Sequence, residues 1–262
     1  MDDASPIRPH ASALASNSTL VSIKTERGVQ QQFIRIVPDR RMAAVILFAG
    51  GHGALGLKGP AVTKWRRGNF LVRSRYRFAD HGFVVTVMDA PSDHPEGMDA
   101  IFRMSRAHAD DINSVVLHLK SKVNVPVWLV GTSAGTFSAA GGAISCKNVD
   151  GLVLTSTVTR SRPDWTIART HPNGVASMAL HNIVVPTLIM SHLRDACDVT
   201  PATDAEKLRS LLIKAKTADV VLLDGGDTPQ SEPCDALSQH GFFGIEEDAV
   251  KTIARFIMDK TN

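Results

Sequence analysis

A serine flanked by two glycines stands at the end of an apolar run in this sequence. Residues 127–130 lead into 131–135, which read GTSAG, and a stretch of helical composition follows. A G-x-S-x-G sequence between a strand and a helix holds its serine in a sharp turn and exposes the hydroxyl at the sheet edge. The glycines let neighbouring backbone approach, and the helix N-terminus favours negative charge developing nearby. The pattern predicts Ser133 as the nucleophile of an acyl-transfer reaction.

This strand, turn and helix resemble the nucleophile elbow of the α/β-hydrolase superfamily. The resemblance extends over about residues 45–258 of the chain. It implies a doubly wound, mostly parallel sheet with helices on both faces. It also implies that an acid follows a later strand and that a histidine follows the last strand.

Two aspartates compete for the position of the implied acid. The apolar run 187–190 is followed by SHLRDACDVTP, which is similar to the family's loop ending in D-x-x-x-x-P. Asp195 lies nearer to the strand end, where its carboxylate can reach back toward the sheet edge, and it is the favoured acid. Asp198 precedes a helix expected to begin near Thr200, and its charge could instead stabilise the N-terminus of that helix. Asp198 is therefore the alternative.

Of the ten histidines, His240 is the one in the implied position, after the last strand and before the terminal helix. The order Ser133, Asp195, His240 is the order of α/β-hydrolases and differs from the chymotrypsin and subtilisin orders. In this interpretation His240 takes the proton of Ser133 and Asp195 fixes the imidazole tautomer. Water then hydrolyses the acyl-enzyme.

Two backbone N–H groups are expected to form an oxyanion hole. The resemblance implies Ala134, the residue after the nucleophile, as one donor. The other should come from residues 49–53, which read AGGHG and are similar to the HGGG-type turn. Alanine stands where that turn has its histidine, and the histidine is displaced to position 52. Gly51 is the favoured donor and His52 the alternative, while glycines that merely turn the chain would give the same pattern.

Strands and helices alternate along the chain in a way that could position these residues. Residues 19–24 and 31–37 alternate apolar and polar side chains, as half-buried antiparallel strands do. Continuous apolar runs, typical of parallel strands covered on both faces, follow at 44–48, 84–88, 127–130, 152–154, 187–190 and 220–223. Helices are predicted at 70–80, 101–119, 133–146, 202–216 and 246–258. The alternation predicts one α/β domain with right-handed crossovers.

Three segments fall outside this alternation. Residues 1–18 are predicted to be a flexible tail, so the domain is expected to span 19–262. Residues 156–183 form a small lid or insertion, and 54–69 form a long loop; both are expected to contact substrate because they follow strand ends. Trp65, Phe70 and Trp165 could line an acyl pocket or belong to local core.

Composition narrows the class of protein. The 262 residues carry 29 Lys and Arg against 26 Asp and Glu, a net charge of only +3, which does not favour nucleic-acid binding. Apolar runs are far shorter than the ~20 residues of a membrane span. No cluster has metal-ligand spacing, so we expect no metal and no cofactor. The expected partner is a small-molecule acyl substrate, and the oligomeric state is left open.

The three cysteines separate into two groups. Cys146 lies in a helical stretch of small residues and is expected to be a packed thiol. Cys197 and Cys234 flank the implied acid and histidine, so a closed triad would allow a disulfide between them; two reduced thiols are the alternative. The first residues contain no apolar signal segment, which favours a cytoplasmic protein, whereas a Cys197–Cys234 disulfide would favour an exported one.

Basic residues cluster between positions 58 and 77. They could form a positive rim that attracts carboxylate-bearing substrates, although a solvated charged face is the simpler interpretation. The cluster comprises Lys58, Lys64, Arg66, Arg67, Arg73, Arg75 and Arg77. Asp89 and Asp93, which follow the fourth strand, are expected in turn and capping roles.

Together these patterns predict a serine hydrolase acting on a carboxylic ester or a related acyl bond. Thioesterase, lactonase, amidase and hydroxynitrile lyase chemistry use similar residues and are alternatives within the same site. A hydrolase-like protein that binds without turnover is the alternative from another class.

Overall fold

An eight-stranded sheet runs through the computed structural model, which describes residues 17–60 and 68–261. The strands are β1 (Ser18–Lys24), β2 (Gln30–Ile36), β3 (Ala43–Phe48), β4 (Phe83–Met88), β5 (Val127–Thr132), β6 (Gly151–Thr155), β7 (Thr187–His192) and β8 (Ala218–Leu223). Their order across the sheet is β1-β2-β4-β3-β5-β6-β7-β8. β2 is antiparallel to both of its neighbours, and all pairs from β4 to β8 are parallel. The predicted mostly parallel sheet is confirmed.

Burial follows from the apolar character of the strands. Every residue of β3, β4, β5, β6 and β7 is buried, as expected of strands covered on both faces. The edge strands β1 and β8 alternate between more and less exposed positions. Two apolar clusters, one on each face, pack the helices against the sheet.

Seven α-helices lie within the described residues. They are α1 (Phe70–Arg73), α2 (Arg75–Asp80), α3 (Ala100–Met104), α4 (Arg106–Lys122), α5 (Gly135–Ser145), α6 (Ala205–Ser210) and α7 (Glu246–Thr261). The predicted helix 70–80 is interrupted at Ser74, and the predicted helix 101–119 is interrupted at Ser105. Ser105 Oγ caps α4 by accepting the His108 N–H at 3.2 Å, which explains the second break.

The predicted helix 202–216 is much shorter in the structure. A 3₁₀ turn (Ala202–Asp204) precedes α6, and the helix ends at Ser210. Beyond it, the Lys216 N–H donates to Val184 O at 2.9 Å, so the backbone leaves the helix to pair with the segment before β7. The second half of the predicted helix is therefore a non-helical segment whose last residue pairs with the chain before β7.

The insertion 156–183 carries two short 3₁₀ turns, Gly174–Ser177 and Leu180–Asn182. It packs on the loop after β7, where the Thr159 N–H donates to Val199 O at 2.9 Å. Its role as a lid stays a prediction. Of the predicted tail, residues 1–16 lie outside the described residues, and Ser18 already pairs with Ile36. Within 17–60 and 68–261, the helices lack the length and apolar character needed to cross a membrane.

Candidate active site

Ser133 occupies the turn between β5 and α5. Its φ is +53°, in the left-handed region that costs a non-glycine residue about 1–3 kcal/mol. Two backbone hydrogen bonds hold it there: the Ser133 N–H donates to Thr155 O at 3.1 Å, and Ser133 O accepts the Thr136 N–H at 2.9 Å. The neighbouring strand and the first turn of the helix thus stabilise a strained serine, as the sequence predicts.

The two glycines of the motif are required by close approach. A Cβ on Gly131 would lie 2.5 Å from Gly135 O, and a Cβ on Gly135 would overlap Phe48 O at the end of β3. Neither glycine has a positive φ, so conformational freedom is not the reason for either. Their absent side chains let β3, β5 and α5 converge on the serine.

One cavity of about 370 Å³ brings the predicted site residues together. Ser133 and His240 both line it, together with the turn after β3, the residues before α1, and the loop before His240. The lining residues are Ala49, Gly50, Gly51, His52, Gly53, Ala54, Leu55, Gly68, Asn69, Phe70, Thr132, Ser133, Ser231, Cys234, Asp235, Ala236, Leu237, His240 and Gly241. We call this space the site cavity.

Asp195 contacts His240 but does not itself line the site cavity. His240 Nδ1 is 3.1 Å from Asp195 Oδ2, and the side chains are 5% and 0% exposed. Thr200 Oγ1 donates to the same carboxylate oxygen at 2.9 Å and lies 3.0 Å from His240 Nδ1. The other oxygen, Asp195 Oδ1, accepts the Cys197 N–H at 2.9 Å. The carboxylate is thus fixed by hydrogen bonds on both oxygens.

Asp198, the alternative acid, has a different environment. It pairs with Arg162 at 2.9 Å at the surface, and the hydrogen bond from Arg162 lowers the pKa of Asp198. The structure therefore brings Asp195 to the histidine and leaves Asp198 in an exposed ion pair.

The loop that carries His240 is held by residues for which the sequence predicted no role at the histidine. Ser156 Oγ donates to His240 O at 2.7 Å, and Ser238 Oγ accepts the His240 N–H at 3.2 Å. Arg73 donates to Gly241 O at 2.5 Å and pairs with Glu246 at 2.8 Å. The nearest sequence signal is at Thr200, which lies just before Pro201 in the loop of the acid. Ser156 has none, and Arg73 was predicted only as a member of the basic cluster.

The turn after β3 lies against the serine. A Cβ on Gly50 would come 3.0 Å from Ser133 Cβ, so the missing side chain allows the turn to approach the nucleophile. Gly51 has a φ of +60°, and His52 Nδ1 accepts the Ala54 N–H at 3.3 Å. Ala134 follows the serine and lies immediately before α5. The two expected oxyanion donors, Gly51 and Ala134, are therefore on elements that meet at Ser133.

Comparisons with solved structures bear on the fold. The esterase Pf2001 of Pyrococcus furiosus matches with a TM-score of 0.66 at 15% identity, over 98% of this chain and 97% of that one. The α/β-hydrolase GrgF from Penicillium sp. sh18 matches with a TM-score of 0.66 at 13% identity, over 93% and 99% of the two chains. The chain adopts the α/β-hydrolase fold.

A third structure of the α/β-hydrolase fold is similar along its length. A membrane phospholipase A described as a bacterial virulence factor matches with a TM-score of 0.60 at 14% identity, over 96% of this chain and 92% of that chain. By sequence, no family model and no curated protein matches.

A disulfide between Cys197 and Cys234 joins two loops of this α/β-hydrolase fold. The sulfurs are 2.08 Å apart and the Cα atoms 4.6 Å apart, within the range for bridged cysteines. The bridge links the loop of Asp195 to the loop that precedes His240. Because the two sulfurs are bonded to each other, they do not offer thiolate ligands to a metal beside Asp198.

Cys146 is buried, as expected of a packed thiol. Its Sγ lies 3.4 Å from Ala109 O, and burial raises the pKa of the thiol to about 11. A thiol with so high a pKa is un-ionised at neutral pH and is a poor nucleophile.

The described members of the basic cluster do not line the site cavity. Arg73 and Arg77 pair with Glu246 and Glu247 of α7, and Lys58 is exposed. Lys64, Trp65, Arg66 and Arg67 lie outside the described residues. Phe70 lines the cavity, whereas Trp165 packs partly buried against the core.

Asp89 has the turn role expected of it. Its carboxylate accepts the Leu57 N–H at 2.9 Å and the Ala90 N–H at 2.8 Å, and it also accepts the Leu55 N–H. These bonds fix the loop that continues from the lining residue Leu55. Asp93 instead pairs with Arg27 at 2.9 Å.

Proposed function

We propose that this protein is a serine hydrolase that cleaves a carboxylic ester or a related acyl bond. The observation that carries the proposal is the shared cavity: Ser133, in a strained turn, and His240, hydrogen-bonded to a buried Asp195, both line it. A nucleophile and a base whose own position is fixed by a third group are the requirements for nucleophilic acyl transfer.

In the proposed mechanism His240 Nε2 takes the Ser133 proton as Oγ attacks the acyl carbon. The Nδ1–H donates to Asp195, which holds the tautomer that leaves Nε2 free to accept and stabilises the imidazolium. The Gly51 and Ala134 N–H groups stabilise the oxyanion. His240 then protonates the leaving oxygen, and a water molecule, activated by the same base, hydrolyses the acyl-enzyme.

Two observations support a small, uncharged acyl group as substrate. The described lining of the site cavity consists largely of glycine, alanine and apolar side chains, with Asp235 as a carboxylate. No lysine or arginine is among the described lining residues, and Arg73 and Arg77 are paired with Glu246 and Glu247. The names of two solved structures with this fold, an esterase and a phospholipase A, favour an ester over an amide.

The test combines a fluorophosphonate probe with p-nitrophenyl esters of increasing chain length. We expect the probe to label Ser133, located by mass spectrometry, and we expect ester turnover to fall by about 10³-fold or more in Ser133→Ala. Circular dichroism of the variant checks that the fold is retained. Labelling at another serine, or undiminished turnover in the variant, would contradict the assignment.

The same experiment tests the alternative that this is a hydrolase-like protein that binds a ligand without turnover. A folded wild-type chain that neither labels nor turns over any acyl ester would be a hydrolase-like protein without catalysis. Thioesters, lactones and anilides in the same assay separate the related acyl chemistries.

A further inference from the structure

Arg103 is the most deeply buried cation in the described part of the chain. It lies near the end of α3 with 2% of its surface exposed. Within residues 17–60 and 68–261 no carboxylate comes within ion-pair distance of it. Burial lowers the pKa of the guanidinium to about 10, so the group is still charged at neutral pH. An unpaired buried charge costs several kcal/mol unless its donors are satisfied.

The donors of Arg103 are directed at the turn after β3. Nη2 donates to Ala49 O at 3.3 Å and to Gly51 O at 3.1 Å. These two carbonyls lie on either side of the Gly50–Gly51 peptide, whose N–H is the expected oxyanion donor. By binding both carbonyls, Arg103 Nη2 bridges the turn and constrains the orientation of the Gly51 N–H.

The other terminal nitrogen of the guanidinium, Nη1, reaches α5, the helix that follows the nucleophile. Nη1 donates to Ser138 Oγ at 2.9 Å, and His108 Nε2 forms a 3.0 Å hydrogen bond with the same hydroxyl. Ser138 lies on α5, the helix that begins directly after Ala134. Arg103 therefore joins the two elements that carry the two expected oxyanion donors.

Gly53 shows that the turn is shaped around this side chain. Its φ is +72°, and a Cβ at this position would overlap Arg103 Nη2. The Met98 N–H donates to His52 O at 2.8 Å, so the segment before α3 also holds the turn.

We propose that Arg103 is a positioning residue that sets the geometry of the oxyanion hole by binding the 49–53 turn and α5 with one guanidinium. The inference rests on the proposed function, since it assigns a role in the same reaction. Arg103 does not touch the reacting atoms. Displacing an oxyanion donor by about 1 Å can reduce turnover by about 10²-fold.

The test compares Arg103→Met with Arg106→Met. Arg106 is the matched control because it is exposed and pairs with Asp110 within α4. We expect Arg103→Met to lower kcat for a p-nitrophenyl ester by about 10²-fold with KM close to wild type. Inhibition by a trifluoromethyl ketone, which adds Ser133 Oγ to form a tetrahedral oxyanion, should weaken in parallel with kcat/KM. Arg106→Met should resemble wild type in all three.

If Arg103→Met does not fold, Arg103→Lys provides the test. A lysine retains the charge but cannot reach Ala49, Gly51 and Ser138 together, so we expect an intermediate kcat with unchanged KM. A kcat for Arg103→Lys equal to wild type would overturn the proposal. A parallel loss of kcat and rise of KM would indicate general damage rather than positioning, and would also overturn it.

A measurement without substrate separates this inference from the proposed function. Amide hydrogen exchange of residues 49–53 should be faster in Arg103→Lys than in Arg106→Met, whatever the enzyme does to esters. Unchanged exchange would show that the turn does not depend on Arg103. Absent turnover and labelling in wild type would instead count against the proposed function.

Discussion

The two sides of the site cavity are held in different ways. On the side of the turn after β3, Arg103 binds the backbone carbonyls of Ala49 and Gly51 by hydrogen bonds from a buried charge. On the side of the histidine, Arg73 likewise donates to Gly241 O, and in addition the covalent Cys197–Cys234 bond joins the acid loop to the histidine loop. Both the turn and the two loops follow strand ends, but the carbonyls of the turn accept from a buried guanidinium, whereas a covalent bond joins the two loops.

This difference predicts different sensitivities. A charged hydrogen-bond network depends on the protonation state and shape of each member, because removing one partner leaves a buried polar group unsatisfied. A disulfide depends on redox conditions and acts mainly on the unfolded chain. Three further experiments probe the two sides, in decreasing order of expected effect.

The largest effect is expected at Asp195. In Asp195→Asn the amide can no longer hold the imidazole tautomer or stabilise the imidazolium, so kcat should fall by about 10²- to 10⁴-fold. Steady-state ester hydrolysis measures it. Asp198→Asn is the matched control, since Asp198 is exposed and paired with Arg162, and its kcat should stay near wild type. A larger loss in Asp198→Asn would reverse the assignment of the acid.

The disulfide should contribute an intermediate effect, on stability. Closing a 37-residue loop predicts a loss of about 3–4 kcal/mol in the free energy of unfolding when both cysteines are replaced by serine. Urea denaturation of wild type and of the Cys197→Ser/Cys234→Ser variant measures it. A thiol reductant should lower the stability of wild type and leave that of the variant unchanged. Equal stability of the two proteins without reductant would show that the disulfide does not stabilise the histidine side of the cavity.

At one pH unit below 6.5 the smallest effect, about 1.4 kcal/mol, is expected from His108, and it grows as the pH falls further. Burial, followed by the charge of Arg103, lowers the pKa of His108 to about 3. The unfolded chain takes up this proton near pH 6.5, while the folded chain stays neutral to about pH 3. The stabilising contribution is therefore complete above pH 6.5 and is lost as the pH falls from there toward 3.

The measurement compares wild type with His108→Gln in urea denaturation at several pH values. The difference in unfolding free energy should shrink by about 1.4 kcal/mol per pH unit below pH 6.5, because only wild type has this proton to take up on unfolding. A difference that is constant with pH would show that His108 titrates alike in the folded and unfolded chains.

Sequence reasoning predicted the fold well because its signals are local. Each continuous apolar run is a strand in the structure, and all but one of these strands are buried on both faces; the run 220–223 lies in the edge strand β8, which is only partly buried. Helix ends were less accurate: Ser105 interrupts one helix by capping, and in another predicted helix Lys216 bonds to Val184 instead of continuing the helix. Both depend on a specific partner rather than on periodicity.

For the site, features set within a few residues were predicted, whereas contacts between residues far apart in the sequence were left open. Gly131 packs on Gly135 within the five-residue motif, so the motif alone predicted the strained turn, although Gly135 also packs on Phe48 at the end of β3. The disulfide and the choice between Asp195 and Asp198 were left as alternatives, because both depend on where two distant loops meet.

The sequence by itself determined the parallel α/β architecture and the turn that holds Ser133, because apolar patterning and backbone sterics act over a few residues. Only the tertiary structure decided which aspartate meets His240, that Thr200 and Ser156 support them, and that Arg103 binds the turn after β3. Those contacts join residues dozens of positions apart, and an arginine in a short helix carries no local sign that its charge will be buried against a backbone turn.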